Sequence, residues 1–380
     1  MLSMLFFLSV ALVLYVYAGY PLLVRLFGTV RSRPIRKEPF EPMVTVIIPA
    51  YNEEKHIGRT IANKLALNYP REKLEILVVS DGSTDGTDSI VKDYAEEGVR
   101  LLRQEPRGGK TLGLNAAIRE AGGEVIFFSD ANSLHHPDAL RELVANFADP
   151  QVGYVTGKMI YTNPDGSVIG DGCSAYMRYE NMIRLRETKI GSIVGVDGGV
   201  DAVRRSLYVP MQADQLPDFV LPLSVIDQGY RVVYEPEALL CEDALSTAAD
   251  EYRMRVRVSL RALWALYDMR RLFLPGADLV YSWQLWSHKI LRYLSFLFLL
   301  GALLTNLALL DKGPLFVITL LGQAVFYLGA VLSPILERFG RGNRLLYLAY
   351  YFSIINMAAA HAFIKFVLGK KIVVWSPRKG

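Results

Sequence analysis

The chain has 380 residues, 52% of them apolar, with a mean hydropathy of +0.23 and a formal net charge of +4. That length allows about two or three domains, the apolar excess is high for a wholly soluble protein, and so small and diffuse a charge argues for no nucleic-acid partner. Two cysteines, Cys173 and Cys241, make neither a disulfide framework nor a metal cluster and suit a reducing compartment.

The apolar residues are grouped. Leu2–Val24, Tyr293–Leu310, Gly313–Leu336 and Leu345–Ile364 each lack Asp, Glu, Lys and Arg, and are long enough, or nearly so, for the ~20 residues of a spanning helix. No basic segment precedes the first run, and it exceeds the ~7–15 residue core of a signal peptide, so it reads as an uncleaved anchor. Arg25, Arg31, Arg33, Arg36 and Lys37 follow it, and His288, Lys289 and Arg292 precede the second run. The positive-inside rule therefore puts residues 25–292 in the cytosol, and Arg338, Arg341 and Arg344 agree. Three C-terminal spans would leave Lys370, Lys371, Arg378 and Lys379 outside, which points to one re-entrant or interfacial run. The expected organisation is an anchor (1–24), a cytosolic α/β domain (43–245), amphipathic interfacial helices (246–289), C-terminal membrane helices (290–369) and a basic tail (370–380).

Residues 43–150 read as βα units: strands at 43–48, 74–80, 99–103 and 125–129, with helices at 52–68, 85–95 and 111–121. Such alternation implies a parallel sheet with right-handed crossovers. Residues 154–161 and 230–234 resemble strands, and 174–188 and 219–228 helices. Within 246–272, Tyr252, Val256, Leu260, Leu263 and Tyr267 lie among Arg253, Arg255, Arg257, Arg261, Arg270 and Arg271. This is a basic amphipathic helix, lying on the membrane face with Tyr281–Trp286 or packed as a solvated helix on the catalytic domain.

Three strands run straight into acidic loops: VTVIIPAYNEE at 44–54, LVVSDGSTDGT at 77–87 and FFSDANS at 127–133. They deliver carboxylates to the sheet edge where open α/β folds bind ligands. Asp81, which as a carboxylate only accepts hydrogen bonds, suits a uracil or ribose, or caps its own turn with Ser83 and Thr84. Asp130 and Asn132 present two hard oxygens to a divalent cation, Mg2+ or Mn2+, that shares its shell with a diphosphate. Gly108-Gly109-Lys110-Thr111 lacks the first glycine of a P-loop, position 104 being Gln, but its backbone N–H groups and Lys110 can still approach phosphate. His135 and His136, being adjacent, point in different directions and make a poor metal pair. Cys241-Glu242-Asp243 reads as a polar loop.

IIPAYNEE, VVSDGSTDGT, GGKTLGLNAA, the DAN loop, PDFVLPL and YRVVYEPEA together resemble the family 2 inverting glycosyltransferases of GT-A fold over residues 43–270. The flanking spans are similar to the membrane-embedded branch with cellulose, chitin and hyaluronan synthases, a layout that ceramide glucosyltransferases share. The resemblance implies that Tyr51, Glu53 and Asp81 hold the nucleoside and that Lys110 lies near the diphosphate. It also implies that Asp130 and Asn132 form the metal motif, with Asn where many members have Asp. Asp218 matches the catalytic base, against the simpler reading that it caps the helix beginning at Phe219. The QxxRW signature of processive synthases is absent in strict form: Arg257 and Arg261 are present, but Trp264 lies three residues beyond Arg261. Trp264 stacks on an acceptor sugar or packs with Leu260 and Tyr267. Trp375 near Arg378 is similar to a C-terminal pair in some synthases.

The expected function is membrane-integrated inverting transfer from a UDP-sugar to a growing polysaccharide. The alternative is a single addition to a membrane lipid such as ceramide, diacylglycerol or polyprenyl phosphate. A catalytically silent scaffold would not need Asp81, Asp130 and Asp218 intact.

Overall fold

The computed structural model describes residues 1–162, 168–243, 248–274 and 277–372. Ser246, Trp375, Arg378 and Lys379 lie outside them. The chain opens with helices α1 (Leu2–Leu14) and α2 (Tyr20–Val30), joined without a break by a π-helical turn at Tyr15–Gly19. The α/β region follows with β1 (Val44–Ala50), α3 (Ile57–Leu65), β2 (Leu74–Ser80), α4 (Thr87–Asp93), β3 (Val99–Arg103), α5 (Lys110–Glu120) and β4 (Val125–Phe128). Next come β5 (Leu134–His135), α6 (Ala139–Ala145), β6 (Val152–Thr162), α7 (Val168–Ile190), β7 (Asp201–Arg204), α8 (Pro217–Asp227) and β8 (Arg231–Asp243). The chain continues with α9 (Ala248–Asp268), α10 (Leu279–Leu285), α11 (Leu291–Tyr293), α12 (Ser295–Ala308), α13 (Pro314–Arg338) and α14 (Arg344–Val367).

The strands form an 8-stranded sheet in the order β3-β2-β1-β4-β7-β6-β8-β5. β1 to β4 are parallel, as the βα alternation requires. Beyond those four strands the sheet is mixed, which the sequence reading did not address: β7 runs antiparallel to β4 and β6, and β5 antiparallel to β8. The reversal follows from α7, which carries the chain away to pack on α2 through Ile183 and Ile190 against Tyr20 and Val24. The chain returns through residues 191–200 and enters the sheet from the opposite end, so β7 starts at the edge where β4 finishes, with Asp201 opposite Phe128.

Side chains alternate between two buried layers, as strand geometry dictates. Val44, Val46, Ile48 and Phe127 face Ile57 and Ile61 of α3 and Leu140 and Leu143 of α6. Ile47, Ile126 and Phe128 face Leu114 and Ala117 of α5 and Phe219 and Leu223 of α8. β8 is much longer than the 230–234 expectation because Pro236 does not end it. The β6–β8 register shifts between Thr156 and Lys158, and a bulge of that kind tolerates proline.

α9 lies between the sheet domain and the C-terminal helices. Ala262, Ala265 and Leu266 join the layer that contains α8, while Val256, Leu260 and Leu263 pack on Ala358 and Ala362 of α14. Leu2–Val30, Pro314–Arg338 and Arg344–Val367 are long and apolar enough to cross a membrane, and Leu279–Tyr293 with Ser295–Ala308, bent by 57°, is a fourth candidate. Phe6 packs on Leu309 and Phe316, so the α12–α13 turn sits beside the first residues of the chain. α14 lies between α13 and α9: the Phe352 ring stands 5.7 Å from that of Phe326 on α13, and on the other side Tyr351 donates to Glu251 at 2.8 Å and His361 meets Tyr252 at 3.1 Å. At its end, Trp264 donates to the Lys370 carbonyl at 2.9 Å and Lys371 pairs with Asp214 at 2.5 Å.

Candidate active site

The carboxyl ends of β1, β2 and β4 lie side by side, because Ala50 pairs with Ser80 and Ile47 with Phe128. Tyr51, Glu53, Asp81 and Asp130 therefore share one edge. Asp81 is buried, and its Oδ1 accepts from Gly108 N at 2.8 Å, Gly109 N at 3.0 Å and Gln104 Nε2 at 2.5 Å. The two glycine N–H groups thus point at Asp81 and not at a phosphate position, a correction to the sequence reading. Asn52, not Asp81, closes the turn after β2, taking Thr84 N on its side-chain oxygen at 2.8 Å. The Arg107 guanidinium lies 3.5 Å from the centre of the Tyr51 ring and its Nε is 3.4 Å from Asp81 Oδ2.

Lys110 opens α5 and extends its ammonium between two carboxylates, 2.7 Å from Asp130 Oδ1 and 3.8 Å from Asp218 Oδ1. Burial lowers its pKa, but Asp130 and then Asp218 outweigh that, so the group is held above the usual lysine range and stays charged. Asp218 is in the first turn of α8, whose N-cap is Leu216 and which has no side-chain cap hydrogen bond. The capping reading is therefore wrong, and the side chain turns to the site. Gly198, at φ +78°, makes room for it: a Cβ there would stand 3.1 Å from the Asp218 carboxyl carbon.

Helix α3 supports the DAN loop from below. Thr60 Oγ1 donates to the Ala131 carbonyl at 2.6 Å, and the buried Lys64 ammonium donates to the Ser133 carbonyl at 2.7 Å. Burial pulls Lys64 down to about 7. His135 is buried with Nε2 2.7 Å from the Gly199 carbonyl, an acceptor that fixes the proton on that nitrogen, while His136 is exposed near Asp138. Among the described residues no group of three His, Cys, Asp or Glu side chains forms a metal cage. The donors on this loop are one carboxylate and one amide oxygen, Asp130 and Asn132, with a cation already paired to Asp130. That set fits a divalent ion that takes much of its shell from substrate phosphates and water.

Trp264 does not reach the site; its ring packs 4.7 Å from that of Phe366. Arg261 does approach it, donating to the Gln215 carbonyl and, at 3.5 Å, to Thr111, and so ties α9 to the loop before Asp218. Arg257 stands one turn earlier on α9.

Asp201 and Tyr154 were not legible as site residues. Tyr154 lines the same pocket as Lys110, Asp130 and Asp218. Asp201 is buried beside Phe128 and Thr156, with Tyr154 and Thr156 as the polar side chains nearest its carboxyl group. Burial, with Asp218 next, pushes it up from 3.8 to about 8. The available signal was an acid inside the apolar run Val200–Val203, since charge in a buried strand is rare without a reason. Between roughly pH 4 and pH 8 the native state holds a proton on Asp201 that the unfolded chain has released, so stability falls as pH rises through that window. Thermal unfolding of the solubilised wild type and of Asp201→Asn from pH 5 to 7 should show a shallower decline in the variant. Equal slopes would mean that Asp201 is ionised in the fold.

Residues 45–207 match the family model "Glycosyl transferase family 2". Poly-beta-1,6-N-acetyl-D-glucosamine synthase of Staphylococcus aureus (strain COL) is 28% identical over 268 residues, covering 66% of this chain and 64% of that protein. Probable glycosyltransferase YdaM of Bacillus subtilis (strain 168) is 30% identical over 232 residues, 57% and 54% of the two chains. The chain thus spans less than two thirds of either relative's length. A mannosyltransferase from Pyrobaculum calidifontis, solved with GDP-Man and Mn2+, superposes with a TM-score of 0.75 at 25% identity over 96% of this chain and 99% of that one. The motifs at the strand ends, the sheet order and these likenesses agree: the chain carries a family 2 glycosyltransferase domain of GT-A fold.

Proposed function

We propose that this protein is a membrane-integrated, metal-dependent inverting glycosyltransferase that moves a sugar from a nucleotide diphosphate sugar to an acceptor at the membrane face. The observation that carries this reading is the Lys110 ammonium held between Asp130 and Asp218 at the carboxyl edge of the sheet. Asp81, Tyr51 and Glu53 bind the nucleoside. Because Asp81 is filled by the 104–109 loop and Arg107 covers Tyr51, donor entry displaces that loop. Lys110 then exchanges Asp130 for a diphosphate oxygen, and Asp218 takes the proton of the acceptor hydroxyl as it attacks the anomeric carbon. A divalent cation held by Asp130 and Asn132 would supply neutralisation of the departing diphosphate. A UDP-sugar is the donor expected from the sequence, and the GDP-Man bound by the P. calidifontis enzyme makes a GDP-sugar the other to test.

The synthase name of the S. aureus relatives supports a growing polysaccharide as acceptor. A single addition to a membrane lipid is the second reading, favoured by the withdrawal of Trp264 onto Phe366. Product sizing over time with excess donor separates them: lengthening products mark a synthase, one organic-extractable species the lipid reading. Asp218→Asn is expected to reduce transfer by at least ~100-fold, the usual scale of a lost general base, with Mn2+-dependent nucleotide binding retained by calorimetry. Loss of binding together with turnover would assign Asp218 to donor binding.

The sheet domain is proposed to face the cytosol, with α1–α2, α12 and α13 crossing and α14 lying against the domain. The Lys371–Asp214 and Trp264–Lys370 contacts support this, since they bring the start of the basic tail back to the domain, and the positive-inside rule then holds at both ends. In a Cys173→Ser, Cys241→Ser background, Lys312→Cys should label with an impermeant maleimide in intact cells and Arg341→Cys should not. Labelling of Arg341→Cys from outside would overturn this topology.

A further inference from the structure

Where the membrane helices meet the sheet domain, a cluster of charged side chains is buried that the mechanism above does not use. His288, in the π-helical turn Trp286–Ile290 between α10 and α11, faces Glu187 at 2.7 Å through Nδ1 and Glu180 at 3.2 Å through Nε2. Arg292 pairs with Glu180, and Arg184 with Asp197 at 2.6 Å. Carboxylates only accept, so one proton is shared between His288 and its two partners. Whether that proton sits on the ring or on a carboxyl, three acids are balanced by two guanidiniums and one proton.

Lys289 is the cation left over. It is half-buried and has no hydrogen-bond or ion-pair partner among the described residues, and its ammonium lies 5.9 Å from the centre of the Phe219 ring. Phe219 directly follows Asp218. On the other side the ammonium rests on Gly195, where a Cβ would come within 2.4 Å of Nζ. Gly195 and Gly198 are the two ends of one short loop, and Gly198 is the residue that packs on the Asp218 carboxyl. Three peptide links bound the distance from the ammonium to that carboxyl at about 20 Å. The loop is fixed in place by Arg184, which also donates to the Gly195 carbonyl at 3.0 Å. One turn before Lys289, Trp286 is 43% exposed, in the manner of an aromatic at headgroup depth.

An unpaired ammonium, over a glycine that leaves it room, within about 20 Å of the Asp218 carboxyl and at the membrane entry of its helix, is placed for an anion that arrives from the bilayer. We propose that Lys289 binds the phosphate of a membrane-lipid acceptor and so presents that acceptor's hydroxyl to Asp218. This rests on the transferase reading and names its acceptor chemistry; it holds for one addition or for many. The competing source of phosphate is the donor diphosphate, already served by Lys110.

The test uses the full chain in neutral detergent, with farnesyl phosphate and farnesol as probes and UDP or GDP with Mn2+ as the donor-site control. The wild type should bind farnesyl phosphate well above farnesol. Lys289→Gln should weaken that binding by roughly tenfold or more, the scale of a lost charged hydrogen bond. Lys289→Arg should keep most of it, and nucleotide binding should be equal in all three, which also reports an intact fold. Gly195→Ala, which displaces the ammonium without removing it, should weaken the phosphate probe alone. Farnesyl phosphate binding unchanged in Lys289→Gln, no preference over farnesol in the wild type, or a matched loss of nucleotide binding would each overturn the proposal. Nucleotide binding that fails in the wild type would count against the transferase reading instead.

Discussion

One ammonium holds the candidate site in its present form. Lys110 reaches both Asp130 and Asp218, so their nearest oxygens are no more than about 6.5 Å apart. At an effective dielectric of about 20, two bare carboxylates at that spacing repel by roughly 2–3 kcal/mol, while the buried Asp201, which keeps its proton up to about pH 8, adds no charge. The ion pairs are therefore what lets these two ionised acids converge at one sheet edge, beside an Asp201 that stays neutral. On the proposed reading they also set what the site asks of a donor: a nucleotide diphosphate would bring negative charge for Lys110, and Asp130 with Asn132 would then be free to hold a divalent cation.

The fold delivers this arrangement through two departures from a simple parallel sheet. α7 carries the chain out to α2, and its return reverses β7, so that Asp201 begins a strand directly beneath the edge instead of at the opposite end. The same return segment passes Asp197, Gly198 and Gly199, which seats Asp218. Arg184–Asp197 fixes this loop in the interior. A buried pair of this kind adds little net stability over apolar packing, but losing either partner strands a charge at a cost of about 3–5 kcal/mol. The loop that shapes Asp218's surroundings is thus tied to the charged cluster at the foot of the apolar C-terminal helices, and the sheet domain and those helices are packed as one.

Much of this was readable from local pattern. An apolar strand that ends in an acid is a short-range signal, and Asp81 and Asp130 came from it, whereas Tyr51 and Asp218 were named only by the family resemblance that the motifs carry. What escaped depends on residues far apart in sequence. Arg107 covers Tyr51 from another loop, and nothing in PRGGK announces that its two glycines bind Asp81. β7 is four residues long behind two glycines, too short to show alternation. Pro236 reads as a strand breaker until the bulge at Gly157 is seen. Trp264 offered packing and sugar stacking on equal terms, and only α14 decides for packing. Lys289 looked like one of three positive-inside charges; its lack of a partner is visible only after Glu180, Glu187, Arg184 and Arg292 have been paired off.

The central claim is that Lys110 is a placeholder for the metal and a ligand for the diphosphate, exchanging one role for the other when donor binds. A high-resolution structure of the full chain with a nucleotide diphosphate and Mn2+ measures this directly. The account predicts Mn2+ on Asp130 with Lys110 Nζ moved from that carboxylate to a phosphate oxygen, and Asp218 left facing open acceptor space. A complex in which the nucleotide and Mn2+ are bound while the Lys110–Asp130 pair stays closed would contradict it.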